Sequence, residues 1–142
     1  MTKKELKREN HYVPIWYQKG FTENGGSLIE YLDLEDKRID NPKGEITVTN
    51  KPKKESVKNA FCIRDLYSTF FGFLVSDEIE DKLFGEVDTK GSRAVKAFIK
   101  GEPKYMHERF MDFFDFIDIQ KLRTPKGLDW INKNYSDLDQ NS

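Results

Sequence analysis

The chain has 142 residues, the length of one ordinary domain, with 24 Lys and Arg against 25 Asp and Glu and a formal net charge of −1. That balance describes a solvated globular surface and excludes a nucleic-acid binder recognised by bulk positive charge. No apolar run is long enough to span a bilayer, no basic-then-apolar leader opens the chain, and the single Cys62 excludes an intramolecular disulfide or a multi-cysteine zinc site, so a cytosolic protein is expected.

In chain order, residues 1–10 read as a basic arm, with Lys3, Lys4, Lys7 and Arg8. His11 to Phe21 predicts a short helix: Pro14 is tolerated in a first turn, Ile15, Trp16 and Phe21 share an apolar face, and Gly20 lies near the end. Asn24-Gly25-Gly26 marks a turn. Residues 27–49 predict a small antiparallel unit of two or three strands, built on Ser27–Leu34, Arg38–Asp40 and Ile46–Thr49, with a polar turn at Glu35–Lys37. Lys51 to Lys58 reads as a charged connector, and Ser56 as the cap of a short helix through Phe61. Tyr67 to Val75 reads as a strand or buried loop.

Ser76 is a good N-cap for a helix running to about Ile99, with Ile79, Leu83, Val87, Ala94 and Phe98 inward. Gly85 and Gly91 weaken its middle, and Gly101 and Pro103 stop it. A third helix spans Met106 to Leu122, where Phe110, Phe113, Phe114 and Ile117 form an amphipathic stripe flanked by Phe116 and Ile119. Thr124-Pro125 ends it, Pro125 starts a last helix through Lys133, and residues 137–142 form a polar tail. The fold expected is α+β in a single domain over 11–136: an N-terminal helix, a small antiparallel hairpin and a Phe-rich antiparallel helical layer. The 11 Phe, 6 Tyr and 2 Trp compensate for a modest 37% of hydrophobic residues.

His11-Tyr12-Val13-Pro14 with Tyr17 and Gly20-Phe21, the aromatic pair Phe61 and Tyr67, the glutamates Glu80 and Glu86, and Gln120-Lys121-Leu122-Arg123-Thr124-Pro125 occur in that order along the chain. This set resembles a bacterial and phage domain-of-unknown-function family, number four-two-three-eight, over roughly residues 8–130. Ile15 stands where the family usually has Gln. Members of the family usually continue for another hundred or so residues, so the chain resembles their N-terminal half. The resemblance implies a setting in bacterial or phage conflict, and the need of a missing half or a partner for any site built from both halves. It implies no particular reaction.

Chemistry has few places to sit. Counting about 100° per residue from Ile79, Leu83 falls near 40°, Glu86 near 340° and Val87 near 80°, so Glu86 points into the apolar stripe and needs a partner. Counting from Phe110, Gln120 falls near 280° and Arg123 near 220°, both on the apolar side. An inward network follows, with Glu86 or Glu80 against Arg123, Gln120 as a two-way hydrogen bonder, and His11 from the N-terminal motif. Such a fork of guanidinium and carboxylate locks segments together whatever else it does.

Two functional readings build on it. The first is a non-catalytic or catalytically incomplete binding or assembly module, with Tyr12, Trp16, Tyr17 and Arg123 as anchors for a protein or a nucleotide and no cofactor. The second is a metal-dependent nuclease or other phosphoesterase using His11, Glu86, Gln120 and Arg123, with Glu80 and Glu86 as ligands of a divalent ion. Glu80 and Glu86, six residues apart, are about 120° out of register unless the helix bends at Gly85. Other candidates have plainer readings: His107 as an exposed helix residue, Cys62 as a small buried hydrophobe, Asp112, Asp115 and Asp118 as a solvated acidic face, and Lys51, Lys53, Lys54 and Lys58 as a soluble linker. Nucleic acid is a partner that the net charge does not support, and a membrane is excluded.

Overall fold

Short β-favouring runs in the first half and longer apolar-periodic runs in the second divide the chain into an α+β fold, described here from a computed structural model covering residues 9–34, 38–40, 42–43, 46–48, 51–71 and 78–135. The basic arm before Glu9, the turn at 35–37, the Ser76 cap and the tail at 137–142 lie outside the described residues. The chain forms two compact units, one of residues 15–60 and one of residues 1–14 with 61–142.

In the 15–60 unit, helix α1 (Ile15–Gln18) passes directly into a single turn of 3-10 helix at Lys19–Phe21. The predicted N-terminal helix is therefore real from Ile15 onward, and His11 lies outside it in a strand. Strands β2 (Leu28–Tyr31), β3 (Arg38–Asp40) and β4 (Ile46–Val48) appear where the alternation placed them. Their pairing is different: β3 pairs with β4, and β2 pairs antiparallel with β5 (Lys53–Ser56), from Leu28 opposite Ser56 to Tyr31 opposite Lys53. The segment read as a connector is thus a strand. Its charges are tolerated because Lys53 and Lys54 are exposed, while Tyr31 Oη donates to Glu55 and Lys53 lies 3.8 Å from Asp33. Ser56 caps no helix; its backbone carbonyl accepts from the Asn59 and Ala60 N–H groups in a tight turn. Ile29, Val57 and Ala60 are buried here, and Gln18, also buried, donates to the Ala60 carbonyl.

In the other unit, β1 (Glu9–His11) pairs antiparallel with β6 (Cys62–Arg64), with Asn10 opposite Ile63 and His11 opposite Cys62. Helix α2 (Leu66–Phe71) stands where a strand or loop was expected. Its aromatic residues have β propensity, but the buried pair Leu66 and Tyr67 packs with Phe84 and Leu128, and that packing overrides propensity.

A π-helical turn at Ile79–Phe84 runs without interruption into α3 (Gly85–Lys100). Gly101 ends α3 in the left-handed conformation, φ 66°, with its N–H on the carbonyls of Ala97 and Phe98. The predicted third helix is broken at Arg109 (φ −113°, ψ 16°) into α4 (Pro103–Glu108) and α5 (Phe110–Leu122). α6 (Pro125–Tyr135) follows as expected.

The buried face of α5 is not the predicted stripe. Phe116 is 1% exposed, whereas Phe110 and Phe114 are half exposed. α5 is apolar over a wide arc, so its own period does not select a face. α3 selects it with Gly91: a Cβ there would lie 2.7 Å from the Phe116 side chain, so only glycine lets the ring seat this closely. Phe98 and Phe113 stack beside that contact, with centroids 4.3 Å apart.

Candidate binding site

Within the unit of residues 1–14 and 61–142, polar side chains converge on the apolar core. Asn10 is fully buried; its Nδ2 donates to Glu80 Oε2 at 2.9 Å and its Oδ1 accepts the Tyr67 N–H at 3.4 Å. Arg123, 2% exposed, meets Asp88 at 2.9 Å and donates through Nε to Gln120 Oε1 at 2.8 Å. Gln120 Nε2 in turn donates to the Tyr12 carbonyl at 2.7 Å. The guanidinium also lies 5.5 Å from the Phe84 ring centroid and 6.0 Å from that of Phe116, within cation–π range. Burial pushes the Asp88 carboxyl above its ordinary value, and the pull of Arg123 does not cancel it. The Tyr67 hydroxyl has no hydrogen-bond partner among the described residues, and burial drives its pKa well up.

Local chemistry explains the end of this network. Thr124 Oγ1 accepts the Gly127 N–H at 3.1 Å, which makes it the N-cap of α6, and Pro125 fills the first helical position, where an N–H has no partner to lose. Gly127 is required: a Cβ would stand 2.2 Å from the Lys121 carbonyl oxygen.

The structure links Gln120, Arg123 and the Tyr12 backbone, with Asp88 as the carboxylate on Arg123, while Glu80 bonds Asn10. Glu86 is a correction: its side chain is 65% exposed and pairs with Lys90 at 2.6 Å, which holds its carboxyl below the usual range. The cause is the π turn. Each residue there advances less than the 100° of an α-helix, so residues beyond Gly85 lag behind the straight-helix phase. Glu86 rotates out and Asp88 rotates in to meet Arg123. Asp88 and Asn10 are the network members the sequence reading missed. No periodicity marks an asparagine ahead of a motif, and Asp88 falls on the polar side of a straight helix.

His11 is half-buried in β1. Tyr12 packs edge-on against Phe61, with centroids 6.0 Å apart. In the 15–60 unit, Trp16 and Tyr17 pack edge-on against each other, and Tyr17 against Phe21. His107 is exposed. Cys62 is only half-buried and donates to Glu9 Oε2 at 3.5 Å; burial and that carboxylate push its thiol up to about 11. Among the described residues, no group of three or more His, Cys, Asp or Glu is placed to hold a metal ion. None of the described helices is long and apolar enough to cross a membrane.

A second cluster lies on the surface of the same unit. Arg93, Lys96 and Lys100 follow i, i+3, i+7 along α3 and share one face. The Gly101 turn and Pro103 redirect the chain into α4, adding Tyr105 and Arg109. These residues, with Ala97 and Glu102, line a groove of about 210 Å³. Four cations thus face one carboxylate. Among the described residues none of the four makes an ion pair or a side-chain hydrogen bond, whereas Lys82, Lys90, Lys121 and Lys133 each pair with an acid on their own helix. The α3 stripe is readable in the sequence by its spacing; its junction with Tyr105 and Arg109 depends on the turn.

No curated protein and no solved structure matches the chain. One family model matches residues 9–141, covering both the inward network and the groove, and the chain belongs to that family, described as protein of unknown function (DUF4238).

Proposed function

We propose that this chain is a binding module for an anionic partner, engaged through the groove between α3 and α4. The observation that carries the reading is the gathering of Arg93, Lys96, Lys100 and Arg109 around one concavity with a single carboxylate, Glu102, and no ion pair to any of the four among the described residues. Like charges gathered on one face raise the local positive potential, a cost that an incoming anion reverses. Lys100 alone would suit the negative end of the α3 dipole; three further cations exceed that need. The inward network supports the same division of labour, since Asn10, Gln120 and Arg123 spend their bonds on the chain's own backbone and side chains.

The test is calorimetric titration with inorganic polyphosphate at low salt, on the wild type and on a Lys96→Glu/Lys100→Glu variant with an unchanged melting midpoint. Binding by the wild type that is lost in the variant supports the reading. Equal binding by both, or none by the wild type, overturns it.

A further inference from the structure

We infer that the partner of this groove is a single-stranded nucleic acid whose phosphates follow the α3 cations while a base stacks on Tyr105; this rests on the anion-binding reading above. Three features lead there. The first is extent. From Arg93 to Lys100 is seven residues of helix, about 10 Å at 1.5 Å per residue, further than one phosphate group reaches. Arg109 adds a cation from beyond α4, so the positive charge forms a track suited to a chain of phosphates.

The second is size. A shallow depression of about 210 Å³ is smaller than the roughly 300–1,000 Å³ that engulfs a whole small ligand, so an occupant lies along the surface and extends past it. The third is Tyr105, which lines the groove with 48% of its surface exposed and has no ring contact or side-chain hydrogen bond among the described residues. An open aromatic face beside a cationic track is the arrangement that binds unpaired bases by stacking, with little regard to sequence. A duplex hides its base faces, and a polyphosphate has none. The net charge of −1 does not oppose the inference, because a local track acts within a Debye length of about 10 Å at 0.1 M salt.

Fluorescence anisotropy on the full chain decides it, with four probes: oligo-uridine RNA, oligo-thymidine DNA, a DNA duplex of equal length, and labelled inorganic polyphosphate. The expected result is tighter binding of the single strands than of the duplex, with a log–log salt slope of about −2 to −3 for three to four neutralised phosphates. Tyr105→Ala weakens the single strands at least fivefold and leaves polyphosphate unchanged, while Tyr105→Phe binds as the wild type. Arg93→Glu/Lys96→Glu/Lys100→Glu, checked for an unchanged melting midpoint, binds none of the four. Duplex bound as tightly as single strands, or Tyr105→Ala without effect on them while polyphosphate still binds, overturns the nucleic-acid inference and leaves the anion-binding reading standing. No binding of any probe by the wild type overturns both.

Discussion

Two clusters of positive charge sit in one unit of this molecule and are built in opposite ways. Arg123 is almost wholly buried, its guanidinium paired with Asp88 and its Nε donating to Gln120. Arg93, Lys96, Lys100 and Arg109 line an open groove with one carboxylate, Glu102, and make no ion pair among the described residues. A cation removed from water must be compensated by the protein itself, so it becomes a fastening. A cation left in water keeps its charge available to a partner. The contrast predicts that substitutions inside move stability and substitutions outside move binding.

The largest effect is expected from Arg123→Ala. It strands the mostly buried Asp88 carboxylate, leaves Gln120 Oε1 without its donor and removes the guanidinium from between two rings, a loss of about 3–5 kcal/mol by chemical denaturation. A shift near zero would mean that the inner cluster is not the fastening described. Gly127→Ala comes next. Its Cβ meets backbone carbonyls that cannot swing away, and overpacking of this kind costs about 1–3 kcal/mol. Because alanine is otherwise the better helix former, any stabilisation would contradict the close approach of α6 to the end of α5.

Tyr67→Phe sharpens the comparison through pH. At neutral pH it removes a hydroxyl with no hydrogen-bond partner among the described residues, so stability stays level or rises. Above pH 10 the unfolded tyrosine ionises while the folded one, with its pKa raised by burial, stays protonated. The folded state then holds more protons, and wild-type stability falls as pH rises past 10. The phenylalanine variant should lose that part of the alkaline decline in melting midpoint, and parallel curves would refute the burial argument. The smallest effect is expected at Glu86. Glu86→Ala removes only an exposed pairing with Lys90 and should leave thermal melts unmoved, against the large loss that an inward carboxylate would give.

Helix α3 shows how much was legible. Its existence, its C-terminal stop at Gly101 and the inward placement of Ala94 follow from spacing and capping chemistry alone. Which carboxylate meets Arg123 did not follow, because a π turn upstream changed the phase and nothing in the residues of 79–84 announces it. Gln120 and Arg123 were read correctly as inward because α5 has no such slip before them. The strand β5 was missed for a different reason: Lys53-Lys54-Glu55 lacks β propensity, and its pairing with β2 is a contact between residues distant in sequence.

What the residues settled by themselves were local matters: α+β character, the helices from Pro125 and toward Gly101, the turn at Asn24–Gly26, and inward polar groups at Gln120 and Arg123. These depend on interactions within one or two turns, where the energy of each choice is written in neighbouring side chains. Tertiary structure decided the rest: the seating of Phe116 on Gly91, the exchange of Glu86 for Asp88, and the gathering of Tyr105 and Arg109 beside the α3 cations. Each of these is a choice among several locally acceptable faces, and only the packing of another segment against them makes one lower in free energy than the others.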